Sequence, residues 1–230
     1  MNQQLALNIP LNNEATLADY CWGNNHLLQQ QLMHALHGQG ERFFYLWGES
    51  GSGKSHLLQA CCHFVTTTQT AIYLPLKNLK EWGPGFLDGI EHQNLISLDD
   101  IDCIAGNSLW EEGLFHLFNR VKANERTLLL IAGTQPPSQV AIALRDLKSR
   151  LNWGFITQLH ALTDDDKLKT LTMQAHKRGL ELSASVAQFL LTRCPRNMHD
   201  LLALLNQLDH ASLAAQRKLT IPFIKDILEI

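Results

Sequence analysis

The sequence predicts an α/β protein: a parallel five-stranded sheet covered by helices on both faces, followed by a smaller, wholly helical part. Three observations lead to this prediction. Short, almost continuously apolar runs alternate with segments of helical periodicity, a pattern typical of buried parallel strands. A glycine-rich loop joins the first of these strands to the helix that follows it. After Leu162 the strand patterns stop, and only helical patterns follow.

The composition is that of a folded chain with one large domain, or one domain and an appendage. Of the 230 residues, 45% are hydrophobic and 18% are charged, which is unlike a disordered chain. The formal net charge of −3 argues against a protein whose main task is to coat DNA or an anionic membrane. No apolar run is longer than that of 128–132, whereas a membrane span needs about 18 residues.

The amino-terminal segment and the cysteines indicate the compartment. Residues 1–15 contain no Lys or Arg, so we expect no export signal. The five cysteines include no C-x-x-C pair, which favours reduced thiols and a cytoplasmic protein. Cys61 and Cys62 fall in an apolar helical pattern, and we expect them to be buried.

Apolar periodicity assigns the individual elements of the α/β part. The predicted helices are 24–37, 54–65, 108–124 and 140–147. The predicted strands are 43–47, 70–76, 95–98, 127–132 and 155–162. In the helical part, Thr163 is the expected N-cap of a helix ending near Gly179, and Pro222 lies in the first turn of the last helix. The other two helices are expected at 183–193 and 197–216. We therefore divide the chain into a tail, an α/β domain and a helical domain, at 1–15, 16–162 and 163–230.

The strongest motif is the loop from Gly48 to Ser55, which matches G-x-x-x-x-G-K-[ST] in full. Glycines let such a loop curl so that its backbone N–H groups point at phosphate oxygens. The lysine adds a positive charge, the hydroxyl of the last residue can bind Mg²⁺, and the helix amino terminus faces the anion. A chance Gly/Ser loop is the alternative, but a strand precedes this loop and a helix follows it, so phosphate binding is favoured.

A pair of acids, Asp99 and Asp100, closes a predicted apolar strand about 45 residues further on. Alone, the pair would be read as an acidic turn. Beside a phosphate loop, Asp99 is expected to hold Mg²⁺ together with Ser55. Asp100 is a candidate for the acid that positions the attacking water, although its side chain is shorter than the Glu that many such proteins use.

Taken together, these motifs resemble the AAA+ ATPases, in particular the bacterial replication initiator DnaA. The matching segments are 16–28, 48–55, 95–102, 127–137, 146–151 and 196–208. The resemblance implies a P-loop domain with a helical lid and a bound nucleotide, ADP or another nucleoside diphosphate with Mg²⁺. At the sensor-2 position it leaves Arg196 and His199 as alternatives. The nucleotide-binding residues it implies are Tyr20, Trp22, Gly48, Gly51, Ser52, Gly53, Lys54, Ser55, His56, Thr134, Arg196 and His199.

Two further residue sets follow from the resemblance. Arg150 matches the arginine finger, which reaches the ATP of a neighbouring subunit and neutralises charge in the transition state. The segment 4–9 resembles peptides that dock on the replicative sliding clamp through an apolar groove. Its clamp-contacting residues are expected to be Gln4, Leu5, Leu7 and Ile9.

The resemblance thus implies a DnaA-related regulator with weak or no ATPase activity of its own. It would dock on the clamp, present Arg150 to DnaA-bound ATP and so switch initiation off, without a DNA-reading domain. A homodimer or higher oligomer is expected. The alternative is a self-sufficient ATPase that loads a helicase or remodels a partner, with Asp99 and Asp100 serving its own turnover. A small-molecule kinase is disfavoured because no acceptor site is visible.

Overall fold

The computed structural model describes residues 15–195 and 197–228, with only the backbone described at 199. The chain divides into two compact units. The first contains residues 25–49 and 54–159, and the second contains 160–230 with the short segments 21–24 and 50–53. The helical and strand segments predicted from periodicity recur in both units, with the exceptions given below.

The first unit is built on a five-stranded sheet in which every neighbouring pair of strands is parallel. The strands are β1 (Phe43–Trp47), β2 (Ala71–Pro75), β3 (Leu95–Asp99), β4 (Leu128–Gly133) and β5 (Phe155–Gln158). Their order in the sheet is β2-β3-β4-β1-β5, so β1 is flanked by β4 and β5. The central strands β3 and β4 are buried along their whole length, as their continuous apolar sequences predict. The last strand is shorter than predicted and ends at Gln158.

Helices and short turns connect these strands. The helices of this unit are α1 (His26–Leu36), α2 (Lys54–Thr66), α3 (Leu76–Leu79), α4 (Ser108–Asn124) and α5 (Arg145–Leu151). Between α3 and β3 the chain forms three 3-10 turns that the sequence did not predict, and a fourth follows β3. Cys61 and Cys62 are fully buried in α2, as expected.

The predicted helix at 140–147 is wrong at its amino-terminal end. Residues 141–144 are not helical, and α5 begins only at Arg145. The buried carboxylate of Glu111 accepts hydrogen bonds from the N–H groups of Ala143 and Leu144, which holds these groups outside a helix. Val140 and Ile142 are buried, so the apolar spacing that resembled a helix belongs to an irregular segment packed on the core.

The second unit is helical. Its helices are α6 (Asp164–Lys177), α7 (Ala184–Arg193), α8 (Met198–Ala215) and α9 (Ile221–Leu228). Thr163 caps α6 in a reciprocal arrangement with Asp166, which satisfies two backbone donors at the helix start. Buried leucines of α6, α7 and α8 form the core of this unit. None of the helices in the described part of the chain is long and apolar enough to span a membrane.

Candidate functional site

The predicted phosphate-binding residues gather at the carboxyl-terminal edge of the sheet. All strands are parallel, so this edge receives the residues that end β1, β3 and β4. Gly48 follows β1, Asp99 ends β3 and Thr134 follows β4. The N–H of Gly48 donates to the carbonyl of Gly133 at 3.3 Å, which ties the start of the loop to the end of β4. The crevice beyond the carboxyl ends of parallel strands is where open α/β sheets bind ligands.

The glycine-rich loop adopts the backbone that its composition predicts. Gly51 and Gly53 have φ values of +80° and +95°, a region that glycine enters without steric cost. Lys54 opens α2 and is 8% exposed, and its Nζ donates to the carbonyls of Gly48 and Glu49 at 2.7 and 2.9 Å. Burial lowers the pKa of the Lys54 ammonium, while nearby carboxylates act in the opposite direction. The loop thus holds its lysine against its own main chain.

Asp99 is 1% exposed, and both of its carboxylate oxygens are hydrogen-bonded. The Tyr73 hydroxyl donates to Oδ2 at 2.8 Å, and the N–H of Asp100 donates to Oδ1 at 3.0 Å. Burial first, and then the charge of Asp99, raises the pKa of Tyr73, which therefore stays a donor. Sequence reasoning did not select Tyr73, because it stands in the apolar strand sequence of β2, where a tyrosine is an ordinary residue.

The oxygen ligands at this edge fit Mg²⁺ when phosphates and water complete its coordination. No group of three or more His, Cys, Asp or Glu side chains in the described ranges could hold a metal ion alone. Mg²⁺ in phosphate sites is usually bound by one or two protein oxygens together with phosphates and water. Asp99 and the exposed hydroxyl of Ser55 can supply those protein oxygens.

Asp100 has a strained backbone, with φ 57° and ψ 46° in the left-handed region. Burial and the neighbouring Asp99 raise the pKa of the Asp100 carboxyl, whereas Lys77 and Lys54 oppose that rise. A raised pKa makes its carboxylate a stronger base than an exposed Asp, which is the property a water-positioning acid requires.

Thr134 is exposed, and its N–H donates to Oδ2 of Asp102 at 2.6 Å. The preceding Gly133 leaves no room for a side chain, since a Cβ there would lie 2.7 Å from the Tyr45 hydroxyl. Asp102 therefore fixes the loop after β4 beside the phosphate edge. Asp102 is the third acid of the D-D-I-D sequence at 99–102. Its place beside two other acids was the available signal, and sequence reasoning did not use it.

His56 lies in α2 directly after the phosphate loop, and its ring centroid is 5.6 Å from that of Tyr20. Its Nε2 is buried and has no hydrogen-bond partner among the described residues, and burial lowers the pKa of the imidazole. The structure therefore brings His56 and Tyr20 together, and their assignment to nucleotide binding stays a prediction. Trp22 is half-buried nearby in sequence, and its assignment stays a prediction.

Several predicted site residues lie outside the described residues. These are Arg196, the side chain of His199, and the clamp-contacting set Gln4, Leu5, Leu7 and Ile9.

Arg150 lies near the end of α5 in an aromatic and cationic cluster. Its guanidinium carbon is 4.0 Å from the ring centroid of Trp153 and 5.9 Å from that of Phe115. The ammonium of Lys122 is 4.3 Å from the same Trp153 ring. Sequence reasoning missed Trp153 and Lys122, which become recognisable only once α4 and α5 are placed side by side.

This cluster belongs to the opposite edge of the sheet from the phosphate loop. Gly154, the residue after Trp153, packs tightly against Phe43, the first residue of β1. A Cβ added to Gly154 would collide with the Phe43 carbonyl. The phosphate loop begins directly after Trp47, the last residue of β1. A five-residue strand is about 15 Å long. Arg150 lines a small cavity with Phe43 and Phe44 at the start of β1, whereas the phosphate loop follows the end of that strand.

The parallel sheet, the phosphate loop and the acids after β3 define the class: a P-loop protein of AAA+ type. Residues 83–158 match the model of the bacterial DnaA ATPase domain, and residues 164–228 match the model of the Hda lid domain. A Haemophilus influenzae protein described only as uncharacterized is 46% identical over 231 residues, covering 100% of both chains. The chain belongs to the Hda-type family of DnaA-related AAA+ proteins.

Solved structures share this fold. Domain III of Thermotoga maritima DnaA superimposes with a TM-score of 0.78 at 19% identity, covering 96% of this chain and 98% of that one. The AMPPCP-bound DnaA of Aquifex aeolicus has a TM-score of 0.73 at 23% identity, covering 85% and 65%. A Thermotoga maritima RuvB variant reaches 0.70 at 15% identity, covering 96% and 73%.

Proposed function

We propose that the protein is a negative regulator of replication initiation that stimulates hydrolysis of DnaA-bound ATP. In this proposal, the chain carries a nucleoside diphosphate at its own phosphate loop, docks on the sliding clamp through residues 4–9 and inserts Arg150 into the ATP site of DnaA. The observation that carries the proposal is the location of Arg150 at the sheet edge opposite the chain's own phosphate loop.

That location favours action on another molecule. A guanidinium that serves its own nucleotide must reach the phosphates held at the carboxyl edge of its sheet. Arg150 instead lines a small cavity with Phe43 and Phe44, the first two residues of β1. It is partly exposed there, so a partner's phosphate can approach it. The planar, permanently charged fork suits the γ-phosphate and its developing charge.

The chain's own site supports nucleotide binding. Three glycines shape the loop: Gly48, Gly51 and Gly53. Ser52 is buried within the loop, and Lys54 places a cation in the first turn of α2. A phosphate placed there would compete with the Gly48 and Glu49 carbonyls for the Lys54 ammonium. Similarity to an AMPPCP-bound DnaA supports the same assignment. Asp99 and Ser55 would hold Mg²⁺, which supplies charge neutralisation at the phosphates.

Docking on the clamp completes the proposal. A tether on DNA-loaded clamp raises the local concentration of the regulator without new contacts to its target. It also agrees with a net charge of −3, since the clamp rather than this chain would hold the DNA. Pull-down with clamp tests this part: Gln4→Ala, or a chain without residues 1–10, should lose binding. Unchanged capture of both variants contradicts clamp docking through this segment.

The test of the central proposal is turnover of ATP bound to DnaA, in the presence of clamp loaded on DNA. Arg150→Ala should reduce stimulation by about 10³-fold or more. The matched control is Arg145→Ala, which removes an exposed arginine at the start of the same helix and should leave stimulation intact. Full stimulation by Arg150→Ala would show that the finger is assigned wrongly.

A self-sufficient ATPase is the second candidate, and the raised pKa of Asp100 favours it. Steady-state turnover of the isolated chain separates the two functions. A rate of about 1 s⁻¹ or faster, abolished by Asp100→Asn, indicates a motor or loader. Turnover far below that rate agrees with a regulator whose bound nucleotide is not its substrate.

A further inference from the structure

Glu111 is a buried acid that neither the phosphate site nor the finger accounts for. It lies in the first turns of α4 and is 1% exposed. Its Oε1 accepts from the N–H of Gly106 at 2.7 Å, and its Oε2 accepts from the N–H of Leu144 at 2.7 Å. The N–H of Ala143 points at both oxygens, at 3.1 and 3.0 Å. Burying a carboxylate is costly unless it is hydrogen-bonded, and here backbone donors meet that requirement.

These bonds join the segment that leads into α5 to helix α4. Leu144 is the residue that precedes α5, so the bond to its N–H fixes the point at which that helix begins. Arg150 lies less than two turns further along the same helix. Because α5 spans only 145–151, a displacement at its start is carried to its end.

The surroundings of Arg150 come from the same helix as Glu111. Phe115, one turn after Glu111, lies 5.9 Å from the Arg150 guanidinium, and Lys122 of α4 lies over Trp153. Arg150 and Trp153 are joined locally, since the N–H of Trp153 donates to the carbonyl of Arg150. The register between α4 and α5 therefore determines where this pair lies relative to Phe115 and Lys122. Among the described residues, the Glu111 carboxylate supplies the hydrogen bonds that join α4 to residues 143 and 144.

We infer that Glu111 is a positioning residue for Arg150: it sets the start of α5 and thereby the place from which the guanidinium enters a partner's nucleotide site. This inference rests on the proposed function of Arg150. Glu111 touches neither nucleotide nor partner in this account. It acts through the backbone of residues 143 and 144.

The test compares Glu111→Gln with Glu112→Gln. The first change places an amide N–H against backbone N–H donors and removes the charge that they share. The second alters an exposed neighbour on the same helix. With ATP-loaded DnaA and clamp on DNA, Glu111→Gln should lower the hydrolysis rate at saturating protein by about 10- to 100-fold. The half-saturating concentration should change less than threefold, since the docking surfaces remain. Glu112→Gln should match the unmodified chain.

A spectroscopic measurement separates positioning from general destabilisation. In ¹⁵N NMR spectra of the isolated chain, the ring current of Phe115 on α4 should contribute to the shift of the Arg150 Nε–H resonance, which is assigned by its absence in Arg150→Lys. Glu111→Gln should move this resonance towards the position of an exposed arginine. Affinity for ADP should stay within threefold, which shows that the variant is folded. If Glu111→Gln does not fold, Glu111→Asp keeps the charge with a shorter reach and should show the same displacement.

The outcomes distinguish the two proposals. If Arg150→Ala retains full stimulation, the proposed function fails, whatever Glu111 does. If Arg150→Ala loses stimulation but folded Glu111 variants keep both the saturating rate and the Arg150 resonance, the positioning inference fails alone. A higher half-saturating concentration with an unchanged saturating rate also overturns it, because that pattern describes docking rather than positioning.

Discussion

The sheet has a carboxyl edge, where its parallel strands end, and an amino edge, where they begin. The two edges differ in how they hold their cations. At the carboxyl edge, Lys54 is buried and bound to main-chain carbonyls, near Asp99 and near Asp100 with its strained backbone. At the amino edge, Arg150 is partly exposed and stacked on an aromatic ring. The first arrangement is fixed by hydrogen bonds and loop geometry. The second relies on cation–π contacts worth about 0.5–1 kcal/mol at exposed sites, and can be exchanged for a stronger anion contact.

This difference assigns the two cations different tasks. Lys54 is placed to retain a ligand within its own chain, because its surroundings hold it in one position. Arg150 is placed to leave its stacking partner when a phosphate of another molecule approaches. The following predictions test whether the two edges are independent in this way.

The largest effect is expected at the phosphate edge. Lys54→Ala removes the cation from the loop and should weaken ADP binding by about 100-fold, as loss of a charge-assisted hydrogen bond implies. Calorimetric titration with ADP measures this change. Arg150→Ala should bind ADP as the unmodified chain does, and a comparable loss in that variant would mean that the two edges share one site.

The second prediction concerns the packing that holds the amino edge. Gly154 has a φ of +72°, and a Cβ there would collide with the Phe43 carbonyl. Gly154→Ala should therefore lower the free energy of unfolding by about 2 kcal/mol, from backbone strain and overpacking together. Gly38→Ala is the control, since Gly38 has a φ of +85° but nothing within 4 Å. It should cost only about 1 kcal/mol in urea denaturation. Equal costs would show that close packing against Phe43 is unimportant.

A smaller effect is expected from the stacking partner of the finger. Trp153→Leu removes the ring that seats Arg150 but keeps an apolar side chain. Stimulation of DnaA-bound ATP hydrolysis should fall by about threefold to fivefold, the equivalent of one cation–π contact. A loss as large as that of Arg150→Ala would assign Trp153 a direct role at the partner's nucleotide.

The smallest effect is a pH dependence at the phosphate edge. Burial lowers the pKa of His56, so the unfolded chain binds the proton more readily than the folded chain does. Stability from neutral His56 is complete above about pH 6.5 and declines as the pH falls towards its lowered folded value. Between pH 7.5 and 5.5, His56→Gln should lose less unfolding free energy than the unmodified chain. Identical losses in chemical denaturation would contradict the burial of this imidazole.

The phosphate edge was largely predictable from the sequence. Continuous apolar runs gave the buried strands, and the loop before Lys54 has residue types that its mechanism requires at fixed spacing. These signals are local in sequence, because a parallel strand followed by a phosphate loop encodes its geometry in a few consecutive residues.

The amino edge was not predictable in the same way. Residues 141–144 look helical by apolar spacing, yet their N–H groups are held by a carboxylate more than thirty positions away. Glu111 itself lies on the buried stripe of α4, in line with Leu114 and Phe118. An acid on an apolar helix face was the available signal. Its partners could not be predicted, because they are backbone N–H groups and no residue type marks them.

The most direct measurement of the central claim is trapping of the transition state. In DnaA loaded with ADP and Mg²⁺, aluminium fluoride mimics the γ-phosphoryl group at the transition state. The affinity of this DnaA complex for the chain can be measured on DNA-loaded clamp. Aluminium fluoride should tighten binding of the unmodified chain and of Arg145→Ala by about 100-fold or more, and should leave Arg150→Ala unaffected. Equal tightening of Arg150→Ala would contradict the claim that this guanidinium acts on the partner's nucleotide.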